Sequence, residues 1–138
     1  MKSLLLSTIL ISTSLFCSTA NAHWILVKGE SSLTFVSTKN QHISEVQQFR
    51  TLNGEFGPEG KVQVEIELGS IDSGIEIRDT RMREKLFLTD KFPTAKLTAQ
   101  LPDSVLTLAK GNSVLVTLPA ELSIMGISKT ISAKVQVT

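Results

Sequence analysis

Residues 114–138 read VLVTLPAELSIMGISKTISAKVQVT. Val114, Val116, Leu118, Ala120, Leu122 and Ile124 share one parity, and Thr117, Glu121 and Ser123 take the other. After a short break at Gly126 the alternation resumes. Ile127, Ile131, Ala133, Val135 and Val137 are set against Ser128, Thr130, Ser132, Lys134, Gln136 and Thr138. Successive side chains of a strand point to opposite faces, so a period of two predicts strands with one face buried and one in water. The pattern is still running at Thr138. An unpartnered apolar edge strand is an aggregation hazard, so the expectation is a fragment, cut before the strands that would pair with this one.

Working upstream, the same period recurs. Val62, Val64, Ile66 and Leu68 alternate with Lys61, Gln63, Glu65 and Glu67, after a strong turn at Gly57-Pro58-Glu59-Gly60. Ala95, Leu97, Ala99 and Leu101 form another such series, set off by turns at Pro102-Asp103 and Lys110-Gly111-Asn112. Residues 24–27 and 32–38 read as extended pieces, with Leu33 and Phe35 on one face. The polar stretch 39–45 reads as a loop, and Asn53-Gly54 as a turn or bulge within 47–56. Only residues 78–87 have helical character, with Met82 and Leu86 four apart, Arg83 and Phe87 likewise, and Asp79 placed as an N-terminal cap. Strands joined by short turns, with one helix and no βαβ rhythm, predict an all-β antiparallel barrel or sandwich. A membrane barrel needs aromatic girdles, and this chain has one Trp, six Phe and no Tyr.

Residues 1–22 read as a secretory signal peptide. Lys2 is the basic end, residues 4–16 are apolar, and Ala20-Asn21-Ala22 is a small-x-small cleavage site. The apolar run is too short for a membrane span. Phe16 stands before Cys17 where lipidation requires a small residue, so no stable membrane anchor is expected. The domain is then 23–138, without cysteine, and losing Lys2 balances its basic residues against the 13 acidic ones. No net field attracts nucleic acid or an anionic membrane. Export into a bacterial periplasm is the expected destination.

Chemistry-bearing patterns are sparse. No nucleophile elbow, P-loop, dinucleotide glycine pattern or zinc spacing occurs. Catalytic residues and a metal site are therefore not expected. One copper reading stays open, in which His23, as the new N-terminus, chelates through its amine and ring with His42 as a further ligand. No Met cluster supports it.

The densest constellation is SIDSGIEIRDTRMREKLFLTDKFPTAKLTA, residues 70–99. Arg78, Arg81, Arg83 and Lys85 crowd Asp79 and Glu84 there. The ordinary reading is a solvated helix face with local ion pairs of about 0.3–0.5 kcal/mol each. The alternative places one or two of the arginines at a barrel mouth, meeting a polar or phosphorylated head group.

Here the chain resembles the YceI-like, lipocalin-like polyisoprenoid-binding family. The matching residues are Ile71-Asp72-Ser73-Gly74, Arg78-Asp79, Met82, Phe87 and Phe92-Pro93. Trp24, Ser32-Leu33-Thr34-Phe35, Gly54-Glu55-Phe56 and the hairpin 120–129 add to them. Ser73, Ala120 and Leu97 depart mildly from that pattern, replacing Thr, Gly and Phe. The family continues past this hairpin with further strands that close an eight-stranded barrel. The resemblance implies an antiparallel lipocalin-like barrel, incomplete in this chain, with a short helix at its mouth. It implies a non-catalytic carrier or store for an apolar isoprenoid-type ligand, such as an isoprenoid quinone or polyprenyl chain, with no cofactor required. Phe35, Phe49, Met82, Phe87 and Phe92 are the expected wall or mouth contacts, although core packing is the ordinary role for each. A periplasmic stress or chaperone-like module and a quinone-linked redox accessory protein are the competing readings. Oligomeric state is not readable from the sequence.

Overall fold

The alternating segments become antiparallel strands in a computed structural model that describes residues 24–109 and 111–138. The expected signal peptide, Cys17 and His23 lie outside the described residues. In chain order the strands are β1 (Trp24–Ile25), β2 (Leu33–Lys39), β3 (Ile43–Phe49), β4 (Leu52–Phe56), β5 (Lys61–Glu67), β6 (Ile71–Asp72), β7 (Thr94–Gln100), β8 (Val114–Ile124) and β9 (Ile127–Val137). Helix α1 (Glu76–Arg81) runs on as a π-helical turn over Met82–Leu86, and α2 (Asp103–Leu106) is a single turn. Six strands pair in the order β1-β4-β5-β7-β8-β9, and three in the order β2-β3-β6.

The two sheets are halves of one bent sheet. Arg50 and Thr51 separate β3 from β4, and the 3₁₀ turn Leu68–Ser70 separates β5 from β6 at the same level. Arg50 N–H donates to the Ser70 carbonyl (3.1 Å) and Glu67 N–H to the Thr51 carbonyl (3.1 Å). The Ser70 hydroxyl accepts from Thr51 N–H (3.0 Å) and donates to the Glu67 carbonyl (2.6 Å). These bonds carry the ladder through the bend and pair the backbone groups of Arg50, Thr51, Glu67 and Ser70 that they join. Among the described residues the sheet stays open. β9 pairs with β8 alone, and β1 and β2 line the opposite edge.

Register puts the apolar parities together. Val64 faces Leu97, and Leu97 faces Leu122. Across β8 and β9, Val116 faces Val135, Leu118 faces Ala133 and Ala120 faces Ile131. One face of β4, β5, β7, β8 and β9 is thus apolar throughout, with Lys129 of β9 the exception. A slip of one residue would turn every one of these side chains to water, which is why the period fixes the register so firmly.

Four local expectations are corrected. Asn53-Gly54 is not a turn: both residues pair with β5 inside β4. Glycine is needed because Leu26 lies over it, and a Cβ there would sit 2.9 Å from Leu26 Cδ1. The expected loop 39–45 shrinks to Asn40–His42, where Asn40 (φ 53°) and Gln41 (φ 61°) make a tight left-handed turn. Strand β3 already begins at Ile43, and its first four residues, Ile43 and Val46 included, are exposed. The turn expected at Pro102-Asp103 becomes α2, docked through buried Val105. Finally, α1 begins at Glu76, so Asp79 lies within the helix rather than capping it.

The β8–β9 hairpin turns through Met125 (φ 53°) and Gly126 (φ 75°). Two positive φ values suit Asn-Gly far better than Met-Gly. Met125→Asn is expected to raise stability by about 0.5 kcal/mol, read as a higher urea midpoint at unchanged slope. An unchanged or lower midpoint would contradict this account of the turn.

Candidate ligand-binding face

The apolar face is covered at both ends and bare between them. At one end Phe49, Leu52, Ile66, Leu68, Ile71, Phe87 and Ala95 form a buried cluster, with Leu26, Leu33, Phe35, Val64, Met82 and Ile124 packed against it. At the other, Leu101, Val105 and Leu118 are buried against Phe56, Val62, Ala99, Val114, Val116, Val135 and Val137. The π turn after α1 roofs the first cluster through Met82 and Phe87, and α2 roofs the second through Val105. Leu97 and Leu122 face each other between them, half-buried, and belong to neither cluster. Outward on β9 the strip meets Lys129, in register with Leu122 and flanked by the exposed Ile127 and Ile131. On the opposite face an open groove of about 340 Å³ is lined by Lys61, Thr98, Gln100, Glu121 and Thr130 together with Ala99, Pro119 and Ala120.

The sequence-derived contacts divide in two. Phe35, Phe49 and Phe87 form one aromatic knot, with ring centroids 5.5 Å apart for Phe35–Phe49, 5.6 Å for Phe49–Phe87 and 6.4 Å for Phe35–Phe87. Met82 packs on the same knot. Phe92 stands apart, half-buried near Gly126 at the β8–β9 turn. The expected helical pairing of Met82 with Leu86 does not occur. Phe87 N–H donates to the Met82 carbonyl (2.8 Å), an i to i+5 bond that turns Met82 and Phe87 to the core and leaves Leu86 52% exposed. Leu97 and Leu122 escaped the sequence reading because their parity matches that of packed residues. Parity says which face a residue takes, not whether anything covers it.

Polar groups gather at the α1 end. Asp79 is 4% exposed and accepts from the backbone N–H (2.9 Å) and hydroxyl of Ser73. Arg78 donates to the Ser73 hydroxyl (2.9 Å), the Ser73 carbonyl (3.0 Å) and Glu45. Arg83 donates to Glu76 (2.7 Å) and Thr80 (3.1 Å). The guanidinium of Arg78 and the Nη2 of Arg83 are therefore engaged within the protein. Arg81 and Lys85 are exposed on the helix surface.

On the outer side, Asp72 ties β6 to β3. It accepts from Gly74 N–H (2.9 Å), Gln48 Nε2 (3.1 Å) and Arg50 Nε (2.8 Å). The Gly74 N–H, followed by Arg50 and Gln48, lowers the Asp72 pKa from 3.8 to about 2. Because the folded value is the lower one, this stabilisation is present above pH 3.8 and is lost as pH falls toward about 2. Asp72→Asn is expected to flatten the dependence of melting temperature on pH in that window. An unaltered acid limb would show that Asp72 is not the group responsible.

Among the described residues no cluster of three or more His, Cys, Asp or Glu could hold a metal ion. His42 is exposed in the β2–β3 turn. No helix among them is long and apolar enough to cross a membrane. A family profile described as the YceI-like domain matches residues 24–138. The chain belongs to the YceI-like family. Its relatives include a UPF0312 protein of Shewanella denitrificans, 32% identical, aligned over 97% of this chain and 72% of the relative. Among solved structures, a polyisoprenoid binding domain from Saccharophagus degradans superposes with a TM-score of 0.77 at 32% identity, covering 86% of this chain and 68% of that one. BcnA of Burkholderia cenocepacia shares the fold, with a TM-score of 0.53 at 19% identity over 75% of this chain and 63% of its own. The YceI-like architecture here is the mostly β, antiparallel one expected, with its barrel unclosed.

Proposed function

We propose that this protein binds an elongated apolar lipid of the isoprenoid class along the inner face of its sheet. It acts as an exported, non-catalytic carrier or store. The observation that carries this reading is the uncovered apolar strip floored by Leu97 and Leu122 between two packed clusters. A packed core leaves little apolar sheet bare, and a bare patch marks a partner or ligand. Removing apolar carbon from water yields about 0.8 kcal/mol per CH₂. One five-carbon isoprene unit thus offers roughly 4 kcal/mol gross, before ordering costs. The description of the Saccharophagus relative as a polyisoprenoid binding domain supports the ligand class. The signal-peptide character of residues 1–22 supports export to the periplasm.

The test is organic extraction of purified protein followed by mass spectrometry. An isoprenoid quinone or polyprenyl lipid in near-stoichiometric amount is the expected result, with the intact mass beginning at His23. Recovery of no lipid, together with no uptake of added isoprenoid, overturns the proposal. Recovery of bound polypeptide instead favours a chaperone-like module.

A further inference from the structure

Strand β9 is 11 residues long and lies at the open edge of the six-stranded sheet. Its register with β8 runs one-to-one from Ile124–Ile127 to Val114–Val137 without a bulge, and it contains no proline. The tight turn at Met125-Gly126 makes Ile124 and Ile127 a hydrogen-bonded pair, and such pairs alternate along the hairpin. The backbone groups of Ile127, Lys129, Ile131, Ala133, Val135 and Val137 are therefore spent on β8. Those of Ser128, Thr130, Ser132, Lys134 and Gln136 point to the free edge. Pro119 agrees with this assignment: it has no N–H to donate, and it stands opposite Ser132. Natural edge strands are blunted by shortness, bulges, proline or charge. Of these devices β9 has only the charges of Lys129 and Lys134.

We infer that β9 pairs antiparallel with β9 of a second copy of this chain, about a two-fold axis at Ser132. Ser132 is the midpoint of Ile127–Val137, so an axis there overlaps the two strands along their full length. Its backbone groups also face the edge, so full overlap brings free donors to free acceptors. Ser132 then pairs with Ser132 of the second copy, Thr130 with Lys134 and Ser128 with Gln136. That gives about ten hydrogen bonds, the number typical of a stable protein interface.

The side chains match on both faces. On the apolar face, the exposed Ile127 and Ile131 stand against Val137 and Ala133 of the second copy. Lys129 stands against Val135, and on the polar face Lys134 stands against Thr130. No like charges are directly opposed, a juxtaposition that would be destabilising. Closure favours the same arrangement. Pairing of β9 with β2, the other long free edge, would run head to tail and grow without limit, whereas β9 with itself is isologous and stops at two. The inference stands on the strand edge and does not depend on the lipid-binding reading.

The experiment is light scattering on the purified protein at micromolar concentration, where twice the chain mass is expected. Ser132→Pro removes a central edge donor without touching the bonds to β8. It is expected to give a monomer with an unchanged circular dichroism spectrum. Should the proline variant fail to fold, Ser132→Lys sets two cations together at the axis. It is expected to weaken the dimer at least about tenfold at low salt and to recover at high salt. The register is read by Ser132→Cys in a Cys17→Ser background. Facing residues of a hydrogen-bonded pair have Cα atoms about 5.5 Å apart, within disulfide range. Oxidation is therefore expected to cross-link this variant as a dimer and to leave Ser104→Cys, exposed on α2, uncross-linked. A monomeric wild type overturns the inference, as does an open-ended series of oligomers or a different polypeptide bound in place of the second copy. A dimer that survives the folded Ser132 variants, or that Ser132→Cys does not cross-link, uses another surface and overturns it equally.

Discussion

Leu68→Ala is expected to lower folding stability by about 3–5 kcal/mol, with a fall in melting temperature on the order of tens of degrees. Leu68 is 1% exposed, the largest fully buried side chain among the described residues. It sits on the 3₁₀ turn where β5 breaks into β6, and its backbone N–H donates to the Pro93 carbonyl (2.9 Å). The same residue therefore holds the bend in the sheet and fills the cluster around Phe49, Ile66, Ile71 and Phe87. Truncation removes the transfer energy of the lost carbons and opens a cavity the bent backbone cannot close. Leu86→Ala is the matched control. Leu86 is 52% exposed on the π turn, so its loss is expected to cost no more than about 0.5 kcal/mol. Urea unfolding of both variants at a common slope measures the difference. A Leu68→Ala cost within about 1 kcal/mol of wild type would mean the bend is not held by packing.

That contrast also shows what a sequence of this kind makes readable. Period two in residues 114–138 specifies strand, face and register together, because any other register exposes a whole apolar parity. The bend at Leu68 is different. Leu68 continues the parity of Val62, Val64 and Ile66, and nothing in that series announces a 3₁₀ turn. The bend follows from Arg50 and Ser70 bonding across strands, a long-range pairing that local pattern does not encode. The π turn was hidden for a related reason. Met82 and Leu86 have helical spacing, but tertiary packing selects Met82 with Phe87, and one extra residue in the turn reconciles the two. The resemblance to the YceI-like family pointed to the aromatic residues of the site region, and the structure gathers Phe35, Phe49 and Phe87 into one packed knot. Leu97 and Leu122 carry no motif. They stand out only once the packed neighbours on either side are known.

Leu97→Asp is expected to weaken isoprenoid binding at least about 100-fold, while Thr98→Asp changes it by no more than about threefold. The two residues are adjacent in β7 and point to opposite faces. Leu97 stands in register with Val64 and Leu122 on the bare apolar strip. Thr98 stands with Gln63 and Glu121 on the polar face. A carboxylate at position 97 stays hydrated in the empty protein because the strip is open, so the variant can fold. A lipid laid over the strip must strip that water away, and an unpaired charge in hydrocarbon costs several kcal/mol. Binding is then lost through desolvation rather than through unfolding. At position 98 the added charge meets water whether or not lipid is bound, and its repulsion from Glu121 is a surface effect of about 0.5 kcal/mol or less. Both substitutions place a poor strand former at neighbouring sites of one strand, so general damage to β7 strikes them alike. Circular dichroism checks the fold, and retention of geranylgeraniol on gel filtration measures the binding. Equal loss in both variants would trace the effect to the strand. Equal retention would move the lipid off this face altogether, because no apolar chain can lie across Leu97 and Leu122 without burying whatever replaces them.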